Sequence, residues 1–147
     1  MATRSQWGMT PRQSIEAECG RRGKAAVVAG CIDLLAGGEA DSGLVTALGG
    51  PGGRLVLDAG PDSAHWYWLR VWGARGLLWA WDDSAQVAVV AAMSDGHWRV
   101  REMAAKVVAR HRVGAALTAV AGLQHDRVPR VRAAAARATA VLTATRA

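Results

Sequence analysis

The chain has no phenylalanine, one tyrosine and two cysteines in 147 residues. Any bulky part of its core must therefore come from aliphatic side chains and from its seven tryptophans. Cys19 and Cys31 have no companion Cys or His at metal-ligand spacing. They read as reduced core thiols rather than a disulfide or a zinc site. No apolar run reaches the roughly 18 residues that suggest a membrane span, and no secretory leader is recognisable. The apolar stretch from Ala25 to Ala36 carries Asp33 and begins too far along the chain for such a leader. The expectation is a soluble, cytoplasmic protein. The glycine-rich run Gly49-Gly50-Pro51-Gly52-Gly53 lacks a following Lys-Ser/Thr. It is therefore a helix–helix turn and not a phosphate-binding loop.

What the chain does have is alanine, arginine and a repeat. Tyr67-Trp68-Leu69-Arg70, Trp98-Arg99-Val100-Arg101 and Pro129-Arg130-Val131-Arg132 each end in an aliphatic residue followed by Arg, at intervals of 31 residues. Two small residues and then a base follow, and in the last two copies Asp95 and Asp126 stand six residues before the Arg (Arg101 and Arg132). A period in this range is the mark of stacked helical repeats. Charge is uneven along the chain. From Asp95 onward there are ten Lys/Arg against three Asp/Glu, a net of +7 within a whole-chain charge of +6. Such asymmetry points to an anionic partner for the C-terminal half.

Turn and capping signals place helices at about 12–22, 24–36, 42–58 (broken at the glycine run), 64–80, 84–93, 97–111, 113–123 and 128–145. Residues 1–11 read as a flexible tail in which Met9 is a candidate natural start. Residues 12–147 read as one helical repeat domain, with its clearest repeats at 62–93, 94–124 and 125–147.

The stretches Asp95…Val100-Arg101-Glu102-Met103-Ala104-Ala105 and Asp126…Val131-Arg132-Ala133-Ala134-Ala135 resemble the HEAT-repeat family, including its short bacterial members. The copy at Leu69-Arg70 departs from the pattern, with Ala64 where Asp is expected. The resemblance implies an all-α fold, a right-handed α-solenoid of antiparallel helix pairs, and a scaffold for macromolecular contacts. It also implies that Arg101 and Arg132 pair with repeat-spaced acids, so that Arg70, Asp95, Arg101, Asp126 and Arg132 form a structural ladder.

At 100° per residue, Val100, Met103, Ala104, Val107 and His111 form one apolar stripe. Val131, Ala134, Ala135, Ala138 and Leu142 form a second, and Leu69, Trp72, Gly73, Gly76 and Ala80 a third. The opposite phase carries Trp68, Arg75 and Trp79, then Arg99, Lys106 and Arg110, then Arg130 and Arg137. These eight residues are the candidate partner-binding set, expected on an outer face. No His, Ser, Cys or carboxylate grouping forms a catalytic or metal-binding constellation, so no catalytic residue, metal or cofactor is expected. The leading expectation is a non-catalytic scaffold binding a protein, an acidic one by charge. Nucleic-acid binding, as in the HEAT-like alkylpurine DNA glycosylases, is the alternative. A small-molecule or enzymatic role comes third.

Overall fold

The computed structural model describes residues 9–144. The expectations for residues 1–8, including the natural start, and for residues 145–147 lie outside the described residues. Among the described residues there are nine α-helices and no strand, and no helix is long and apolar enough to cross a membrane. The chain divides into two compact units, Met1–Asp82 and Asp83–Ala147.

The first unit holds α1 (Pro11–Arg22), α2 (Lys24–Leu35), α3 (Ser42–Gly49), α4 (Pro51–Ala59) and α5 (Trp68–Gly76). Part of the expected tail is helix or cap. The Thr10 hydroxyl accepts from the Gln13 N–H (3.2 Å), and Gln13 Oε1 accepts from the Thr10 N–H (3.0 Å). This reciprocal box satisfies the Thr10 and Gln13 N–H groups on either side of Pro11, whose missing N–H costs nothing in the first turn. Asp41 caps α3 by accepting from the Leu44 N–H (2.9 Å). Gly50, at φ 60°, supplies the positive backbone angle that lets α3 end and α4 begin at Pro51. The core collects Ile15 from α1, Val27, Val28, Cys31, Leu34 and Leu35 from α2, and Leu44, Val45 and Leu48 from α3. Leu69 and Trp72 from α5 complete it. Burial pushes the Cys31 thiol up to about 12, so it stays protonated, and both cysteines are free.

The helix expected over 64–80 is shorter than its apolar pattern. Residues 60–69 are closed by i→i+3 bonds such as Trp66 N–H to Ser63 O (3.1 Å) and Trp68 N–H to His65 O (3.1 Å). Beyond Gly76 the chain returns to such turns, as in Leu78 N–H to Arg75 O (3.0 Å). Trp79 therefore lies past the helix and does not share a helical face with Trp68 and Arg75.

The second unit holds α6 (Gln86–Ala92), α7 (Trp98–His111), α8 (Leu117–Gly122) and α9 (Pro129–Thr143). Short 3-10 turns precede α6 and α8 and follow α8. The expected stripes are buried at Val100, Ala104 and Val107 of α7 and at Val131, Ala135 and Ala138 of α9. Met103, His111, Ala134 and Leu142 stay half-buried. Burial on α7 extends further than the stripe, to Arg101, Glu102, Ala105 and Val108, because neighbouring elements cover more than one side of it. Small side chains on α7 and α9 allow the two helices to pack closely.

Gly73 tests the packing of the first unit. A Cβ there would stand 2.8 Å from the Cys31 carbonyl oxygen and 3.0 Å from Leu34 Cβ, so the backbones of α5 and α2 would have to separate. Gly73→Ala is expected to destabilise the unit by about 2 kcal/mol in a denaturant titration, despite the better helix propensity of Ala.

Candidate binding face on the second unit

Two equivalent loops build this face. Before α7, Asp95 Oδ1 accepts from the His97 N–H (2.8 Å); before α9, Asp126 Oδ1 accepts from the Val128 N–H (2.9 Å). Arg101 Nη1 donates to the Asp95 carbonyl and Arg132 Nη1 to the Asp126 carbonyl, both at 2.8 Å. The 31-residue sequence repeat is thus a repeat of hydrogen bonds. Arg101 adds a fork onto the next copy, with Nε to Asp126 Oδ2 at 2.8 Å and Nη2 to Oδ1 at 3.2 Å. The two side chains are 10% and 8% exposed, which makes this a buried ion pair and not a surface one. Its Arg101 hydrogen bonds hold the Asp126 carboxyl below its ordinary pKa; desolvation opposes this, and the Val128 N–H assists it. Arg70, the remaining expected ladder residue, is half-buried on α5 of the first unit.

The fork sets α9 against α7 with their N-terminal turns adjacent. Arg130 then reaches two residues of α7. Its guanidinium carbon lies 5.3 Å from the centroid of the Trp98 ring, and its Nε donates to Glu102 Oε2 at 3.0 Å. Arg99 lies over the same indole at 4.6 Å, and the His97 ring stacks beside it at 6.1 Å. Glu102 also faces Lys106 Nζ at 3.8 Å. Its carboxylate is 9% exposed, while Lys106 and Arg130 remain 46% and 61% exposed. A sequestered acid thus holds two cations, one from each helix, that point to solvent. Arg110 and Arg137 are exposed on the same two helices.

Five of the eight expected partner-binding residues, Arg99, Lys106, Arg110, Arg130 and Arg137, therefore lie on α7 and α9 of one unit. Sequence reasoning missed Trp98 and Glu102. Glu102 was legible as an i,i+4 partner of Lys106. Trp98 was legible only as the residue preceding a repeat-spaced Arg.

Trp68, Arg75 and Trp79 belong to the first unit and differ from expectation. Arg75 is not on an outer face. Its Nη2 donates to the Leu48 carbonyl at 2.6 Å, which caps the C-terminal end of α3, and its Nε is sealed from water without a partner. Burial lowers its pKa from the usual guanidinium value. A cation at a helix C-terminus answers the carbonyl end of the dipole, so this position is structural. Trp68 is half-buried, 5.3 Å from Tyr67 and 5.9 Å from Trp72 between ring centroids. With Trp72, Leu55, Val56, Ala59, Gly52 and His65 it lines an apolar groove of about 460 Å³. Trp79 is half-buried in the turn after α5.

The first unit also has a cleft of about 580 Å³ that Glu18, Arg21 and Arg22 help to line. At its floor Glu18 is paired with both Arg21 and Arg22, while Arg22 forks onto Asp41 at 2.9 and 3.2 Å. The Arg22 bonds, with the Leu44 N–H behind them, bring the Asp41 carboxyl down to about 2. The charges of this network are matched within the chain. Among the described residues no group of three His, Cys, Asp or Glu is placed to hold a metal.

No family model matches the chain, and no curated protein or solved structure matches it either.

The two arginines that alternate along α7 separate structure from surface. Arg101→Ala is expected to cost about 3 kcal/mol, because Asp126 would be left buried without its counter-charge. Arg99→Ala should cost no more than about 0.5 kcal/mol. Equal losses would contradict the assignment of the two faces. The pair also has an acid signature. The Asp126 carboxyl titrates lower in the folded chain than its unfolded value of about 3.9. Its stabilisation is thus fully present above that value and is lost as pH falls through the folded one. The stability gap between the wild type and Asp126→Asn should be wide at neutral pH and should narrow below about pH 4.

Proposed function

We propose that this chain is a non-catalytic HEAT-like repeat scaffold, built from right-handed antiparallel helix pairs, that binds a protein partner through the α7–α9 face. Its family resemblance rests on the Asp…Val-Arg-small pattern and on the repeated Arg-to-loop bonds that accompany it. The observation that carries the functional reading is the placement of Glu102. A 9% exposed carboxylate orients two outward cations, beside a third that is held on Trp98. Cations that merely solvate a surface need no buried acid to aim them, and desolvating that acid has a cost. Ordered cations around a half-buried aromatic are also the make-up of an interface anchor, where Arg and Trp are enriched.

A nucleic acid would meet the same positive charge, but the Trp98 ring on which an unpaired base would stack is already in contact with Arg99, Arg130 and His97. Base stacking supplies much of the affinity of single-stranded binders. The arrangement therefore favours a protein.

The combined change Arg99→Glu, Lys106→Glu and Arg137→Glu tests the reading. Melting temperature should fall by no more than about 3 °C, since none of the three contributes to the buried core. Capture of the cellular partner, from extract treated with nuclease, should be abolished by like-charge repulsion. Unchanged capture by a stable triple variant would refute the face. Loss of the captured material on nuclease treatment of the wild-type sample would point to nucleic acid.

A further inference from the structure

Resting on that reading, we propose that the α7–α9 face docks an acidic α-helix of its partner, with carboxylates that recur every seven residues. Arg99 and Lys106 on α7 are seven residues apart, and so are Arg130 and Arg137 on α9. Seven residues turn a helix by almost two whole turns, so each pair lies on one line along its helix, about 10.5 Å apart. The N-terminal turns of α7 and α9 are adjacent, as the contacts of Arg130 with Trp98 and Glu102 show. Packed helices stand about 8–10 Å apart. The four cations therefore form two levels, Arg99 with Arg130 and Lys106 with Arg137, one helical heptad apart.

Few acidic ligands repeat at that step on one side. An extended peptide presents alternate residues to one face at about 6.6–6.8 Å, and residues three apart point to opposite faces. A nucleic-acid strand places a phosphate about every 3.4 Å along its axis. A helix returns to the same face after seven residues, with the same rise of about 10.5 Å that separates the two cationic levels. Acids at i and i+4 of such a helix flank its midline and can address the two rows at once.

Glu102 fits this arrangement as a positioning residue. It lies between the levels and holds Arg130 of the upper level and Lys106 of the lower one, at 3.0 and 3.8 Å. Its carboxylate is too enclosed to confront an incoming acid, yet it fixes the offset between a cation of α9 and a cation of α7. Trp98 holds the other member of the upper level, Arg99, in place.

The test uses two fluorescein-labelled, alanine-rich helical peptides of identical composition. One carries Glu pairs at i and i+4 that recur every seven residues. The other has the same glutamates distributed around the helix. Fluorescence polarisation with the full chain at low salt should show the heptad peptide binding about tenfold more tightly than its isomer, with an on-rate that falls as salt rises. Glu102→Gln should bring that preference down to about twofold while leaving the melting temperature nearly unchanged. A purely structural role for Glu102 would weaken both peptides equally and overturn its positioning role. Equal binding of the two peptides by the wild type would overturn the helix proposal, while the protein-binding reading would still be judged by its capture experiment. Tighter binding of a labelled DNA duplex than of either peptide would overturn both.

Discussion

The Arg101 guanidinium spends three hydrogen bonds on two consecutive repeats, and the second unit is registered by them. One bond goes back to the Asp95 carbonyl in the loop before α7, and two go forward to the Asp126 carboxylate in the loop before α9. Asp126 in turn holds the Val128 N–H at the start of α9. A charge that is 90% covered cannot be left without its partner, so the loop before α9 has one position relative to α7 that satisfies both groups. Because that position is fixed, Arg130 is held beside Trp98 and Glu102 while its side chain stays largely exposed to solvent. The exposed face thus inherits its geometry from the buried pair.

The first unit solves its packing differently. Close approaches in it are made by glycine, as where α5 lies on α2 with no side chain at Gly73, and its largely buried guanidinium, Arg75, answers a helix end. Its surface offers an apolar groove beside Trp68 and a charge-matched cleft around Glu18. Neither carries the unbalanced, outward-directed charge found on α7 and α9. The net charge of the C-terminal half is thus concentrated where the fold can order it.

Much of this architecture was legible in the sequence, and the exceptions have physical causes. The α7 and α9 spans and the core positions Val100, Ala104, Val131 and Ala135 followed from helical phase, because a strong 31-residue repeat and the turn signals before each helix agree there. The Arg101–Asp126 pair followed from the family resemblance and not from phase. The span of α5 was misread because Trp, Leu and Ala continue the apolar pattern past Gly76. An apolar pattern cannot distinguish α-helix from consecutive i→i+3 turns. Arg75 was assigned outward because phase ranks positions on one helix and is blind to what packs against it. The C-terminal end of α3 comes from a segment 27 residues away in sequence and claims that guanidinium. Glu102 was overlooked for the same reason: its main partner, Arg130, is 28 residues away.

The proposed partner surface is the α7–α9 face, ordered from beneath by Arg101 and Glu102. Backbone and indole chemical shifts measured while the heptad acidic peptide is titrated into the isotopically labelled chain test this most directly. The account predicts that the shifts concentrate on the Trp98 indole N–H and on the amides of Arg99, Lys106, Arg130 and Arg137, with the Trp68 and Trp72 indoles unmoved. Shifts centred on Trp68, Leu55 and Trp72, with the α7–α9 residues silent, would contradict it and place recognition in the apolar groove of the first unit.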